Sequence, residues 1–224
     1  FLSHYKRQAA AEVRVLKSEM VRTLQLDDER VFLDVDNLSD LRELRSSVAN
    51  SDVFVLMLTD GVLSRPWCLT ELYEAADSSV PIVVLVCANS FSCDATRVAE
   101  ILDDLENYLE TENPSAAGQM REYLPDVPLQ QLGALLADAL QPSAAQDDLD
   151  TAESMPENSP GRCQWLDFDA NKSSALLQAQ VQRLAAAMAR VRPENMQFVD
   201  ELAPDDVEEW SVHRRFAVSI VNSE

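Results

Sequence analysis

The sequence predicts an α/β domain built on a doubly wound parallel sheet. Two runs, VFVLML (53–58) and PIVVLVCA (81–88), are apolar throughout and lack the polar alternation of a half-exposed strand, as expected of parallel strands covered on both faces. Stretches with helical spacing separate the strand-like runs and give the order β-α-β-α-β-α-β, which implies right-handed crossovers. The chain has 224 residues, 46% hydrophobic and 25% charged, enough for one sizeable domain plus extensions or for two small ones.

FLSHY (1–5) reads as a short strand or its end. The helix after it carries Ala9, Val13, Leu16, Met20 and Leu24 at helical spacing. VFLDV (31–35) reads as a buried strand, and residues 38–51 as a helix with Leu38, Leu41, Leu44 and Val48 on one face. After the strand at 53–58, TDGVLSRP forms a loop with one short turn. Gly61 there, one of only four glycines, points to a positive φ. Trp67 to about Asp77 is the next helix, and 81–88 is the most hydrophobic strand. Residues 93–140 look helical, with breaks near Asn113-Pro114 and Pro125–Pro128. Residues 141–162 are acidic, rich in Ser, Pro and Ala, and read as a flexible loop. CQWLDFDA (163–170) looks like a fifth strand, and residues 173–191 an amphipathic helix with Leu176, Val181, Leu184 and Met188 as its stripe. Residues 192–224 are a C-terminal extension or the start of a further unit, with Phe216–Val221 a strand that loosely echoes the start of the chain.

A formal net charge of −21 argues against electrostatic binding of nucleic acid and against docking on anionic membranes, while leaving room for a local basic pocket. No apolar run approaches the roughly 20 residues that span a bilayer. The chain begins with Phe1 inside strand-like residues and is read as part of a longer protein, so a missing targeting signal says little. Cys68, Cys87, Cys93 and Cys163 form no C-x-x-C pair and read as reduced thiols in a cytoplasmic setting. His4 is not a credible metal ligand, since the other histidine is His213 in the tail and no Cys/His spacing supports zinc. There is no G-x-G-x-x-G and no P-loop lysine, so Rossmann and NTPase sites are disfavoured. Ser3 and Cys68 lack a positioned histidine for a hydrolase triad. A receiver domain fits the topology, but Ser3-His4-Tyr5 does not supply the acidic pair it needs.

FLSHY, VFLDVDNL, SDVFVLMLTDGVLSRPWCLTEL and PIVVLV follow one another in an order and spacing that resembles the Toll/interleukin-1 receptor (TIR) domain family, closest in motif to its NAD+-cleaving members. The resemblance covers residues 1–88 well, and 163–191 only in element type and order. It implies a flavodoxin-like fold over residues 1–191: a five-stranded, mostly parallel sheet with helices on both faces. The 93–140 helices and the 141–162 acidic loop would then be an enlarged insert before the last strand. It implies one of two roles. Some members recruit other TIR domains or self-associate. Others cleave NAD+ to nicotinamide and linear or cyclic ADP-ribose, as homo-oligomers when active, with NAD+ as substrate rather than cofactor. In those members the required glutamate sits in the W-C-x-x-E box, which places it at Glu71 here, with Trp67 and Cys68 beside it.

Cleavage of the nicotinamide–ribose bond passes through an oxocarbenium-like sugar, which a carboxylate stabilises electrostatically. Nicotinamide leaves from a pyridinium and needs no proton, so one carboxylate suffices. Glu71 is either that group or an ordinary acid favoured near a helix start. Trp67 either walls the pocket or packs the helix. His4, Tyr5 and Lys6, with Arg7, sit at the mouth of the first strand. Basic residues there either contact a pyrophosphate or start a solvated helix. Asp34 either caps backbone amides or shapes the pocket, and Asn37 lies in the following loop. That loop (35–40) is short and glycine-free where relatives carry more residues, which counts against both gating and assembly as relatives perform them.

Overall fold

The two apolar runs lie side by side at the centre of a parallel sheet. The computed structural model describes residues 1–33, 41–88, 94–142 and 163–191, and the backbone of two short strands near the C-terminus. The sheet has four strands, β1 (Leu2–Ser3), β2 (Phe54–Leu58), β3 (Ile82–Cys87) and β4 (Gln164–Phe168), in the spatial order β1-β2-β3-β4. Every neighbouring pair is parallel, with Leu2 opposite Val55, Phe54 opposite Ile82 and Val83 opposite Gln164. The helices between them are α1 (Lys6–Leu24), α2 (Leu41–Ala49), α3 (Pro66–Asp77), α4 (Ala95–Asp103), α5 (Leu105–Glu112), α6 (Ala116–Tyr123), α7 (Leu129–Ala139) and α8 (Ser174–Val191). The C-terminal strands, β5 (Gln197–Val199) and β6 (Ala217–Ser219), pair antiparallel with each other.

Alternation along the strands divides the core in two. Phe54, Leu56, Leu58 and Val84 pack with Leu44 and Val48 of α2, Leu69 and Leu72 of α3, and the inner residues of α4–α7. Val55, Met57, Val83 and Leu85 point the other way, onto Val13, Leu16 and Met20 of α1 and Val181 and Leu184 of α8. Helices therefore cover both faces. Each fully buried Leu, Val or Phe contributes about 1.5–3 kcal/mol of transfer free energy, so the two half-cores are the main source of stability.

The strand expected at 31–35 lies partly outside the described residues; its described part makes a parallel bridge between Leu33 and Leu2, with Leu2 N–H donating to Phe32 O at 2.8 Å. Val31 closes a 3-10 turn at Asp28–Arg30, and four strands of the expected five are seen among the described residues. Other expectations are corrected. The first strand is shorter than residues 1–5, because α1 already begins at Lys6. In α8 the buried stripe begins at Leu177, and Leu176 is 53% exposed. The step from 177 to 181 is one helical turn, whereas 176 to 181 is not. Gly61 has φ −109°, an ordinary value. Its lack of a side chain serves close approach, since a Cβ there would lie 3.2–3.3 Å from the side chains of Gln8 and Tyr5.

The 93–140 region is helical, and its breaks fall at Asn113-Pro114 and Pro125–Pro128, as expected, with a further break at Asp104. It forms a second layer over α3. Leu132 and Leu136 of α7 and Leu102, Leu105 and Leu109 of α4 and α5 join the α3 half-core. Gly133 permits the closest contact in this layer: a Cβ there would lie 2.2 Å from the Leu102 carbonyl oxygen. Trp165 Nε1–H donates to Leu140 O at 2.9 Å, and Pro142 bridges Cys163. Of the stretch 141–162, read from sequence as a flexible acidic loop, residues 143–162 lie outside the described residues.

Burial pushes the Cys87 and Cys163 thiols up to about 12. Both stay protonated and unreactive in the folded protein well above neutrality. Peptide mapping after alkylation at pH 8 is expected to show these two unmodified in native protein and modified after unfolding. Because the folded values lie above the unfolded one, their contribution to stability is complete below pH 9 and is lost as pH rises from 9 towards 12.

Candidate functional site

Parallel α/β sheets place ligands at the carboxyl ends of their strands. Here β1 ends against the first half of α3, and three successive contacts join them. Ser3 Oγ donates to Glu71 Oε2. Cys68 Sγ donates to His4 O at 3.4 Å. The Arg65 guanidinium carbon lies 4.4 Å from the centroid of the Tyr5 ring, a cation–π distance. Residues 3, 4 and 5 thus meet residues 71, 68 and 65, at intervals of three along the helix, the spacing of one ridge.

The burial of this row is graded. Glu71 and Ser3 are 2% and 0% exposed, His4 and Cys68 are buried, and Tyr5 and Arg65 are half-buried. The row runs from a carboxylate at its closed end to a guanidinium at its open end. The two are six residues apart, roughly 9 Å along the helix axis at 1.5 Å per residue. Glu71 sits in the second turn, since Pro66 is the first helical residue and no acid occupies the first turn. The favourable field of a helix start fades within one turn, so it does not account for Glu71.

The loop before α3 is braced from three sides. Gly61 N–H donates to Gln8 Oε1 at 2.9 Å, the Tyr108 hydroxyl to Asp60 O at 3.2 Å, and Asn113 Nδ2 to Ser64 O at 2.9 Å. The Trp67 ring lies 5.5 Å from that of Tyr123, tilted by 51°. The helices α5 and α6, which the family pattern left unexplained, therefore hold the segment that carries Arg65 and Trp67. Thr59, at the end of β2, is buried, and its hydroxyl has no hydrogen-bond partner among the described residues.

The expected site residues divide accordingly. His4, Tyr5, Cys68 and Glu71 lie along one row, with Ser3 joining it through Glu71. Trp67 is half-buried on α3, with its ring against α6. Lys6 and Arg7 are exposed on the first turn of α1. Asp34 and Asn37 lie outside the described residues. Sequence reasoning missed two partners. Ser3 was weighed only as a nucleophile, yet a serine on a fully buried strand next to Leu2 needs a polar partner. Arg65 was passed over as a loop residue, and no sequence signal links it to Tyr5.

No group of three metal-ligating side chains converges among the described residues, and no helix among them is long and apolar enough to cross a membrane. Two cavities open away from this row. One of about 320 Å³ lies between α4 and α7, and one of about 360 Å³ lies beside α1, Phe32 and Ala185. No protein-family model matches the chain, and no curated protein matches it in sequence.

Proposed function

We propose that this chain is a TIR-type domain with a flavodoxin-like fold that cleaves NAD+ to nicotinamide and ADP-ribose, with Glu71 as its catalytic carboxylate. The observation that carries the reading is the placement of Glu71: a carboxylate taken out of water at the carboxyl end of a parallel sheet and held by the Ser3 hydroxyl. Burying a carboxylate costs several kcal/mol unless its surroundings offset it, and such groups concentrate at functional sites. In the reaction the C1′–N bond breaks with both electrons going to nicotinamide nitrogen, which neutralises the pyridinium. Glu71 stabilises the positive charge that grows on the ribose. A water oxygen then bonds to C1′ and loses a proton, giving linear ADP-ribose; attack by the substrate's own adenine gives a cyclic product. His4, Tyr5, Cys68 and Trp67 line the approach in this reading, Lys6 stands at its rim, and Asp34 and Asn37 belong to the loop beside it. The domain works in the cytoplasm and self-associates, or joins other TIR domains, when active. The buried free thiols of Cys68, Cys87 and Cys163 support a reducing setting.

The near-complete burial of Glu71 favours a second reading. In that reading the chain is a non-catalytic interaction module that acts by self-association. Incubating purified protein with NAD+, dilute and at crowded concentration, separates the two. Release of nicotinamide by wild type and not by Glu71→Ala supports the enzyme. A folded wild type that releases none at any concentration supports the module.

A further inference from the structure

We propose that Arg65 is the phosphate-binding residue of this site, and that it fixes the direction in which a nucleotide enters: ribose inward to Glu71, phosphate outward. The inference rests on the reading of Glu71 as the ribose-facing carboxylate and adds the group that selects a phosphorylated substrate.

Three observations place Arg65 in this role. First, the guanidinium is pre-organised. Its face rests on Tyr5, while Nε and Nη2 donate to Ser64 Oγ at 3.1 and 2.8 Å. Ser64 Oγ in turn donates to Gly61 O at 2.9 Å, in a loop braced by Gln8, Tyr108 and Asn113. A planar cation fixed this way loses little freedom when it binds an oxyanion. Second, among the described residues no carboxylate pairs with Arg65, whereas the other half-buried cations, Lys17 and Arg45, each pair with one. In a chain of net charge −21, a half-buried cation left for an outside anion is the exception. Third, the row it ends has the polarity of the ligand. Positions 65 and 71 are offset by roughly 9 Å of helical rise, which sets the guanidinium end and the carboxylate end apart on the scale of a ribose and the phosphate on its 5′ oxygen. The reverse orientation would set phosphate against the Glu71 carboxylate.

Lys6 and Arg7, read from sequence either as pyrophosphate contacts or as the start of a solvated helix, are exposed on the first turn of α1. Arg65 is stacked and hydrogen-bonded in place, and its bonds to a phosphate are charge-assisted.

The test uses Arg65→Met, which keeps an unbranched apolar stem over Tyr5, and Arg65→Lys, which keeps charge without the flat fork. In the NAD+ assay, Arg65→Met is expected to raise KM about 10-fold or more, the loss typical of a charge-assisted hydrogen bond, with kcat changed less than about twofold. Arg65→Lys should fall between. With nicotinamide riboside, which carries no phosphate, neither substitution should move KM. Calorimetry with ADP-ribose, and with adenosine as the phosphate-free control, needs no turnover: Arg65→Met should weaken ADP-ribose binding about 10-fold. A purely structural Arg65 would lower the melting temperature without this split between phosphorylated and unphosphorylated ligands. Equal ADP-ribose affinity in wild type and folded Arg65→Met overturns the inference, as does no ADP-ribose binding by folded wild type. Should Arg65→Met not fold, the same comparison with Arg65→Lys decides. ADP-ribose binding that depends on Arg65, without any nicotinamide release, would sink the catalytic reading and keep this one. Release that ignores Arg65 would do the opposite.

Discussion

Glu71→Gln is expected to abolish nicotinamide release in a variant that still folds. Glutamine has nearly the same shape, and its amide oxygen still accepts the hydrogen bond that Ser3 Oγ gives to Glu71. What disappears is the negative charge that the proposed mechanism sets against the developing oxocarbenium. Removing one pre-organised electrostatic contact to a transition state costs on the order of 10²–10³-fold in kcat, and a loss of at least that size is expected here. Turnover and thermal melts on one preparation check both halves. Turnover within tenfold of wild type in a folded variant would remove Glu71 from the mechanism.

Gly133→Ala is expected to cost more stability than the same change at Gly61 or Gly118. Its Cβ would meet the Leu102 carbonyl oxygen at 2.2 Å, and the Leu105 side chain stands at 3.5 Å. The obstacle is backbone inside α4, so no side-chain rotation relieves it, and α4 and α7 must separate. Overpacking of this kind costs typically 1–3 kcal/mol and occasionally more, and the upper end is expected. At roughly 2–4 °C per kcal/mol for a chain of this size, the melting temperature should fall by about 6–12 °C. The same change at Gly118, in the exposed part of α6 with nothing within 4 Å, should raise stability by about 0.5–1 kcal/mol, because a helical glycine is replaced by the best helix former. Similar melts for the two variants would refute the close approach at Gly133.

What could be read from the sequence follows from which physical signals are local. The strands at 53–58 and 81–88 announced themselves because a strand covered on both faces has no polar positions to confuse it. The α1 stripe of Ala9, Val13, Leu16, Met20 and Leu24 is buried as its spacing required. Leu176 misled because Leu176 and Leu177 are adjacent, and either can begin a stripe that must then pass through Val181. Residues 31–35 carry a strand's composition, and their described part bridges Leu2 through Leu33 at the sheet edge. Within the candidate site, Glu71, Cys68 and Trp67 stand out in the sequence through a contiguous box. Ser3 and Arg65 owe their roles to partners about 60 to 70 residues away, and a pattern read along the chain has no access to such pairs. Gly61 shows the same limit, since the groups crowding it belong to Tyr5 and Gln8.

The three contacts that join the end of β1 to α3 also bear on how the molecule acquires its site in time. Each closes a loop of sixty or more residues, from Tyr5–Arg65 to Ser3–Glu71, whereas the hydrogen bonds inside each helix join residues four apart. Distant pairings pay their loop-closure entropy before any contact repays it, so they form late. A refolding chain should therefore recover its helical circular dichroism before it can hold a ligand between Glu71 and Arg65, and binding, rather than helix content, reports when the domain is finished.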